Sequence, residues 1–117
     1  MEFRVANGSP EKIAGLRVQM CVMLGNLKGF DSLTNENKRF APPFAACKDS
    51  TGKHWIIAGW DRCGRAWGNP PCPCMHADPV VEDCPAGETR SVRGWLSFHD
   101  GADIDRELRR LKEIAFK

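Results

Sequence analysis

The amino-acid sequence predicts an all-β fold, an antiparallel β-sandwich or jelly roll, followed by a C-terminal α-helix. Short stretches of alternating apolar and polar residues are separated by Gly, Pro, Asn and Asp, a pattern typical of strands and turns. A helical period appears only in the tail of the chain. The chain has 117 residues, of which 42% are hydrophobic, so we expect one domain over residues 1–117.

Two strands are predicted near the start. Phe3 and Val5 alternate with polar neighbours, and a turn follows at residues 7–10, which read Asn-Gly-Ser-Pro. Between Leu16 and Leu24, apolar side chains fall on both faces of an extended chain. A strand that is apolar on both faces is usually buried on both, so we expect this one to be central in its sheet.

The clearest hairpin joins residues 44–48 to residues 54–60. Both stretches are apolar, and Asp-Ser-Thr-Gly lies between them. Gly52 can adopt the positive φ that a hairpin loop of three to five residues requires. A last strand is predicted over residues 89–99, with Val92, Leu96 and Phe98 on one face. Its other face carries Ser91, Arg93, Trp95, Ser97 and His99.

The tail predicts a helix over residues 103–115. Its apolar residues repeat at helical spacing and fall on one stripe, formed by Ile104, Leu108, Leu111 and Ala115. Asp103 is a suitable N-cap, because a carboxylate there can accept hydrogen bonds from the first free backbone amides. We therefore expect this helix to pack its stripe against the sheets.

Two long segments, residues 25–43 and 61–84, show no regular period. In the second, four prolines at positions 70, 71, 73 and 79 remove backbone donors, which argues against a helix or a central strand. We expect a shaped loop there. If successive strands are antiparallel, both long loops lie at the same end of the sheets and could form a ligand site.

Four of the six cysteines and one histidine lie in the second long loop, and three interpretations of them stay open. The thiols could pair as disulfides, for example Cys63 with Cys72 and Cys74 with Cys84, although spacing cannot select a connectivity. Alternatively, Cys72, Cys74 and His76, with Cys84 or Cys63, could hold a single zinc or copper ion. Reduced thiols packed as small apolar groups are the third interpretation.

Cys21 and Cys47 fit this third interpretation best, because both fall in predicted strands. A nucleophilic thiol, Cys72 or Cys74, is less favoured. In an irregular extended loop, we expect residues two apart, such as Cys74 and His76, to point in different directions.

Aromatic and charged residues near the second long loop suggest a small polar ligand. Indole rings can stack on sugars, and neighbouring carboxylate and guanidinium groups can bind hydroxyls. The candidate ligand-binding residues are Trp60, Asp61, Arg62, Arg65, Trp67 and Trp95. No catalytic residue is identified, because the sequence lacks the motifs of phosphate loops, dinucleotide sites and serine hydrolases.

The composition argues against two other classes of partner. A net charge of +2 and a pI near 8.3 fall short of the basic character of nucleic-acid binders. No stretch approaches the roughly 18 apolar residues of a membrane span. The first residues lack the apolar core of a signal peptide, so we expect a cytoplasmic protein, or an exported one if Met1 is not its native start.

Both ends of the chain resemble known β-sandwich modules. Phe3-Arg-Val-Ala-Asn7-Gly-Ser followed by Gly15-Leu-Arg-Val, and the stretch from Pro85 to Phe98, are similar to the frame of immunoglobulin-like modules in bacterial exported proteins. The Asn-Pro-Pro-Cys-Pro-Cys loop resembles one in uncharacterised, carbohydrate-associated bacterial proteins of β-sandwich type. The resemblance implies a β-sandwich and carries over no catalytic residue.

The sequence therefore predicts a small β-sandwich that binds a ligand, with carbohydrate as the favoured class. In this interpretation, the Cys/His-rich loop is held together by disulfides or by metal. The alternative is a small metalloprotein or metal-dependent enzyme, using zinc or copper bound by Cys72, Cys74, His76 and Cys84.

Overall fold

The computed structural model describes residues 1–24, 44–69 and 74–115. Within these ranges the chain forms seven strands and one helix. The strands are β1 (Glu2–Ala6), β2 (Cys21–Met23), β3 (Phe44–Lys48), β4 (His54–Trp60), β5 (Cys63–Asn69), β6 (Cys74–Pro79) and β7 (Thr89–Asp100), and the helix is α1 (Ile104–Ala115). The predicted loop at residues 25–43 lies outside the described residues.

The strands form two antiparallel sheets. One has four strands in the order β1-β7-β4-β3, and the other has three strands in the order β2-β6-β5. The prediction of an all-β fold with a C-terminal helix is confirmed. Within the described residues, no helix has both the length and the apolar character needed to cross a membrane.

Strand β4 explains how the two layers meet, because both of its faces are buried. Ile56, Ala58 and Trp60 belong to a core that also contains Met75 and Ala77 of the three-stranded sheet. Trp55 and Ile57 of β4 point to the opposite face and lie in a second core with α1. This second core contains Phe44, Ala46, Trp55, Ile57, Ile104, Leu108 and Leu111. A strand covered on both faces has no need of polar alternation.

The hairpin β3–β4 and helix α1 occupy the predicted positions. In the hairpin loop, Gly52 has a φ of 71° and its amide donates to the Asp49 carbonyl at 3.1 Å. At the start of the helix, the Arg106 amide donates to Asp103 Oδ1 at 3.0 Å, so Asp103 is the predicted N-cap. All four residues of the apolar stripe are buried.

Three predictions about the strands were wrong, and the first concerns β2. It spans three residues and lies at an edge of its sheet, whereas a central strand was expected. Val18, Met20 and Val22 pack against the core, while Cys21 and Met23 are exposed. The apolar character of the second face therefore reflects soft sulfur-containing side chains at the surface and not burial on both sides.

The segment 61–84 corrects the second prediction, because it contains β5 and β6 and β6 is central in its sheet. The prolines at positions 70, 71 and 73 fall between the two strands. Pro79 is the last residue of β6 and faces Cys63, where the register with β5 shifts. The prolines thus bound the strands without interrupting them, and the inferred pair of long loops at one end of the sheets was wrong.

The third correction concerns the two faces of β7. Val92 is buried as expected, but Leu96 is 45% and Phe98 is 71% exposed. On the opposite face, Trp95 and His99 are half-buried, and His99 Nδ1 lies 3.9 Å from Glu107 Oε2 of α1. The helix packs beside the face that the sequence predicts to be solvated.

Candidate metal centre

The central position of β6 determines which of its side chains meet. Successive residues of a strand point to opposite faces. Met75 and Ala77 therefore enter the core between the sheets, while Cys74, His76 and Asp78 share the other face. The expectation that Cys74 and His76 diverge was wrong, because residues two apart in a strand project from the same side.

Strand β2 adds a third donor to this face. Cys21 lies directly opposite His76 in the antiparallel register of β2 and β6. The Sγ atoms of Cys21 and Cys74 and a ring nitrogen of His76 all lie within 4.8 Å of one another. Cys74 Sγ is 3.3 Å from His76 Nε2. The prediction that Cys21 is a packed thiol was wrong, because its side chain is exposed and belongs to this group of three.

The imidazole of His76 is held by β5 as well. Trp67 faces His76 across the strand pair, and the two rings stack with centroids 4.0 Å apart and planes inclined by 18°. The guanidinium carbon of Arg65 lies 4.3 Å from the centre of the same indole. This packing fixes the plane of the imidazole while its Nε2 faces the thiol of Cys74.

Asp78 lies on the other side of the imidazole and is itself held in place. Its Oδ2 accepts a hydrogen bond from Trp67 Nε1 at 2.8 Å, and its Oδ1 accepts one from the Met20 amide at 3.2 Å. His76 Nδ1 is 3.6 Å from Asp78 Oδ1. That separation exceeds a hydrogen bond, and this buried Nδ1 has no hydrogen-bond partner in the structure.

The donor set has the size and the chemistry of a metal site. Zinc binds thiolate sulfur at about 2.3 Å and imidazole nitrogen at about 2.0 Å, so tetrahedral donors of these kinds lie about 3.5 Å apart. The separation of 3.3 Å between Cys74 Sγ and His76 Nε2 is close to this value. Two sulfurs and one imidazole nitrogen suit zinc or copper(I).

Disulfide bonding is not part of this arrangement. None of the five described cysteines forms a disulfide, so the suggested bond between Cys74 and Cys84 is absent. Cys21 and Cys74 are diagonal in the ladder, a relation that separates Cα atoms by about 7 to 8 Å. Disulfides span about 4.4 to 6.8 Å between Cα atoms, so the register favours a shared ion over a bond.

The other predicted ligands lie elsewhere. Cys84 is buried beside β1, where its Sγ lies 3.2 Å from the Glu88 carbonyl oxygen, and Cys63 Sγ lies 3.5 Å from the carbonyl oxygen of Arg65. Neither belongs to the group formed by Cys21, Cys74 and His76. Cys72 lies outside the described residues.

Burial explains the character of two further thiols. The pKa of Cys47 is raised to about 12, chiefly because its sulfur is removed from water. Burial also raises the pKa of Cys63. Cys47 lies in the core between the sheets, so its position agrees with the third interpretation, a thiol packed as a small apolar group.

The predicted ligand-binding residues are dispersed. Trp60 is 1% exposed, and its Nε1 donates to the Ala77 carbonyl at 2.8 Å, so its indole belongs to the core. Asp61 accepts a hydrogen bond from the Arg93 amide, and Arg62 pairs with Glu82.

Trp95 is half-buried on β7. Trp67 lies at the candidate metal centre, where its indole contacts His76 and Arg65. Arg65 also lines a cleft of about 490 Å³ with Arg17, Asp78 and Val80. A carbohydrate ligand stays a prediction.

No protein-family model, curated protein or solved structure matches the chain. The resemblance to immunoglobulin-like modules therefore stays a prediction.

Proposed function

We propose that the protein binds one transition-metal ion, zinc or copper, through Cys21, Cys74 and His76. The observation that carries the proposal is the convergence of two thiol sulfurs and one imidazole nitrogen within 4.8 Å. The proposal keeps the class of the metalloprotein alternative and changes its ligands, since Cys21 joins Cys74 and His76 from a strand far away in sequence.

The surroundings of His76 support this function. The residue is only 7% exposed, yet its Nδ1 has no hydrogen-bond partner. Buried polar atoms are rarely left in this state. Histidines that bind metal through one ring nitrogen commonly donate from the other to a carboxylate, and Asp78 is placed to accept from Nδ1 after a small movement.

The position of the site also indicates what the ion would do for the fold. Cys21 lies on the three-residue edge strand β2, and the other two donors lie on β6. An ion shared between them joins the edge strand to the centre of its sheet.

Replacement of the exposed donor tests the proposal. Wild-type protein, stripped of metal and kept reduced under nitrogen, is titrated with Zn²⁺ against a colorimetric chelator. We expect one equivalent to bind, and Cys21→Ser to weaken the affinity at least about tenfold, because one of three donors is lost. Cys21 is exposed, so its replacement leaves the core intact.

Cys63→Ser is the matched control, because it removes a thiol that lies outside the group of three. We expect this variant to bind zinc as the wild type does. Circular dichroism of each variant establishes that it is folded. The proposal is contradicted if the wild type binds neither Zn²⁺ nor Cu⁺. It is also contradicted if Cys21→Ser and Cys63→Ser bind Zn²⁺ with equal affinity.

A further inference from the structure

We infer that Met23 supplies a fourth donor and that the ion selected by the site is copper(I). This inference rests on the proposed function and names the ion for the same centre. Its starting point is the sulfur of Met23, which lies 3.5 Å from Cys21 Sγ. This contact lies within β2, and the pairing of β2 with β6 places it beside Cys74 and His76.

The register of the two strands arranges four side chains in a square. Cys21 faces His76, and Met23 faces Cys74. Cys21 and Met23 are two residues apart on β2, so they share a face, as Cys74 and His76 do on β6. Each corner of the square carries a group able to bind a soft metal ion. Together they offer two thiols, one thioether and one imidazole.

Along each strand, the two donor atoms are about as far apart as donors that bind one ion. Cys21 Sγ and Met23 Sδ are 3.5 Å apart, and Cys74 Sγ and His76 Nε2 are 3.3 Å apart. Two sulfurs that bind one ion at about 2.3 Å each lie about 3.8 Å apart in a tetrahedron. Cys21 Sγ also lies within 4.8 Å of the donor atoms of Cys74 and His76, so the pair of donors on β2 lies beside the pair on β6.

The thioether distinguishes the two candidate ions. Protein zinc sites are built from thiolate, imidazole and carboxylate, whereas thioether sulfur joins thiolate among the ligands that select copper(I). The carboxylate nearest the site, Asp78, faces His76 Nδ1 and not the sulfurs. With Met23, the site offers three sulfurs and one nitrogen. The thioether is expected to raise the affinity for copper(I) and not the affinity for zinc.

Burial in a core does not explain why a methionine lies at position 23. Its side chain is 58% exposed on an edge strand, so most of its surface gains nothing from burial. Met20, a few residues earlier, is the contrasting case, because it packs against the core between the sheets. The two methionines thus provide a matched pair, one beside the donors and one away from them.

Competition titrations test the inference. Wild type, Met23→Leu and Met20→Leu are titrated anaerobically with Cu⁺ against a copper(I) chelator, and separately with Zn²⁺. We expect Met23→Leu to weaken copper(I) binding about tenfold and to change zinc binding less than about twofold. We expect Met20→Leu to bind both ions as the wild type does. Leucine conserves the size of the side chain and removes only the sulfur.

The outcomes separate this inference from the proposed function. If wild type binds neither ion, both fail. If Cys21→Ser weakens binding but Met23→Leu leaves the affinity for copper(I) unchanged, the metal centre stands and the thioether ligand is overturned. X-ray absorption of the copper(I) complex gives an independent count. We expect three sulfur neighbours in the wild type and two in Met23→Leu, and two in both would also overturn the inference.

Discussion

The indole of Trp60 fills the space that a side chain at Gly94 on β7 would need. A Cβ added to Gly94 would lie 2.6 Å from Trp60 Cζ3 and 2.7 Å from Cδ2, well inside van der Waals contact. The indole cannot withdraw easily. It is 1% exposed, and its Nε1 is held by the Ala77 carbonyl of the opposite sheet.

We expect Gly94→Ala to lower the free energy of unfolding by about 1 to 3 kcal/mol, the usual cost of overpacking a core. Denaturation with urea measures the change. Gly8→Ala is the control, because nothing lies within 4 Å of a Cβ at that position, and its effect should stay within about 0.5 kcal/mol. Equal midpoints for the two variants would show that the indole can yield.

The residues of the candidate metal centre could be predicted from the sequence only in part. Cys74 and His76 were identified as candidate ligands from their chemistry alone. Their shared face was not predicted, because the prolines around them indicate a loop, in which side chains do not alternate between two faces as they do in a strand. Cys21 and Met23 could not be found locally, since the sequence does not reveal that β2 pairs with β6.

At the level of elements, local chemistry predicted some parts well. The hairpin β3–β4 and helix α1 carry their own turn and capping residues, Gly52 and Asp103. Strands β2, β5 and β6 are not flanked by turn or capping residues that identify them in the sequence. They are stabilised by pairing with one another and by burial against β4, which are tertiary effects that local propensity does not contain.

The β4–β7 pair ends in a titratable contact. His54 faces Asp100, and His54 Nδ1 lies 2.8 Å from Asp100 Oδ1. The hydrogen bond with Asp100 raises the pKa of His54 above its ordinary 6.5, helped by the charge of Asp49 and opposed by partial desolvation and by Lys53. Protonated His54 therefore stabilises the folded state.

This contact predicts a pH dependence of stability. Because the pKa of His54 is higher in the folded state, its contribution is complete below the unfolded pKa and is lost as the pH rises through the folded pKa. We expect Asp100→Asn to be less stable than wild type at about pH 5, with the difference shrinking by about pH 9. Urea denaturation of metal-free, reduced protein measures it.

Glu113→Gln is the control for charge removal, because Glu113 is exposed on α1. Its difference from wild type should not show the same decline between those pH values. A gap between Asp100→Asn and wild type that grows with pH would contradict the assignment to His54.

At the scale of the whole molecule, the four-stranded sheet is a middle layer. Helix α1 covers one face, and the three-stranded sheet covers the other around β4. The sequence predicts β4 as one strand of a hairpin and does not indicate which elements cover its two faces. The exposed side chains of Leu96 and Phe98 show that this cover does not extend along the whole of β7.

Adjacent residues of β4 should therefore be equally sensitive to truncation. Ile56 and Ile57 are 0% and 1% exposed and belong to different cores. We expect Ile56→Ala and Ile57→Ala each to lower the free energy of unfolding by about 2 to 5 kcal/mol. Thermal and urea denaturation measure this loss.

Phe98→Ala is the matched control, because Phe98 faces Ile56 across the ladder and is largely exposed. Its replacement should cost well under 2 kcal/mol by the same measurement. A large loss for only one of the two isoleucine variants would mean that one face of β4 contributes little to stability.

The position of β1 has a consequence for synthesis. Among the described strands its sole partner is β7, and the Met1 amino group donates to the Gly94 carbonyl, 93 residues along the chain. Contacts of such long range form slowly, and chains fold as they emerge from the ribosome, N-terminus first. Among the described strands, β1 is therefore made before the others and its partner β7 after them. Until then the apolar side chains of Phe3 and Val5 are open to chaperones and to neighbouring chains.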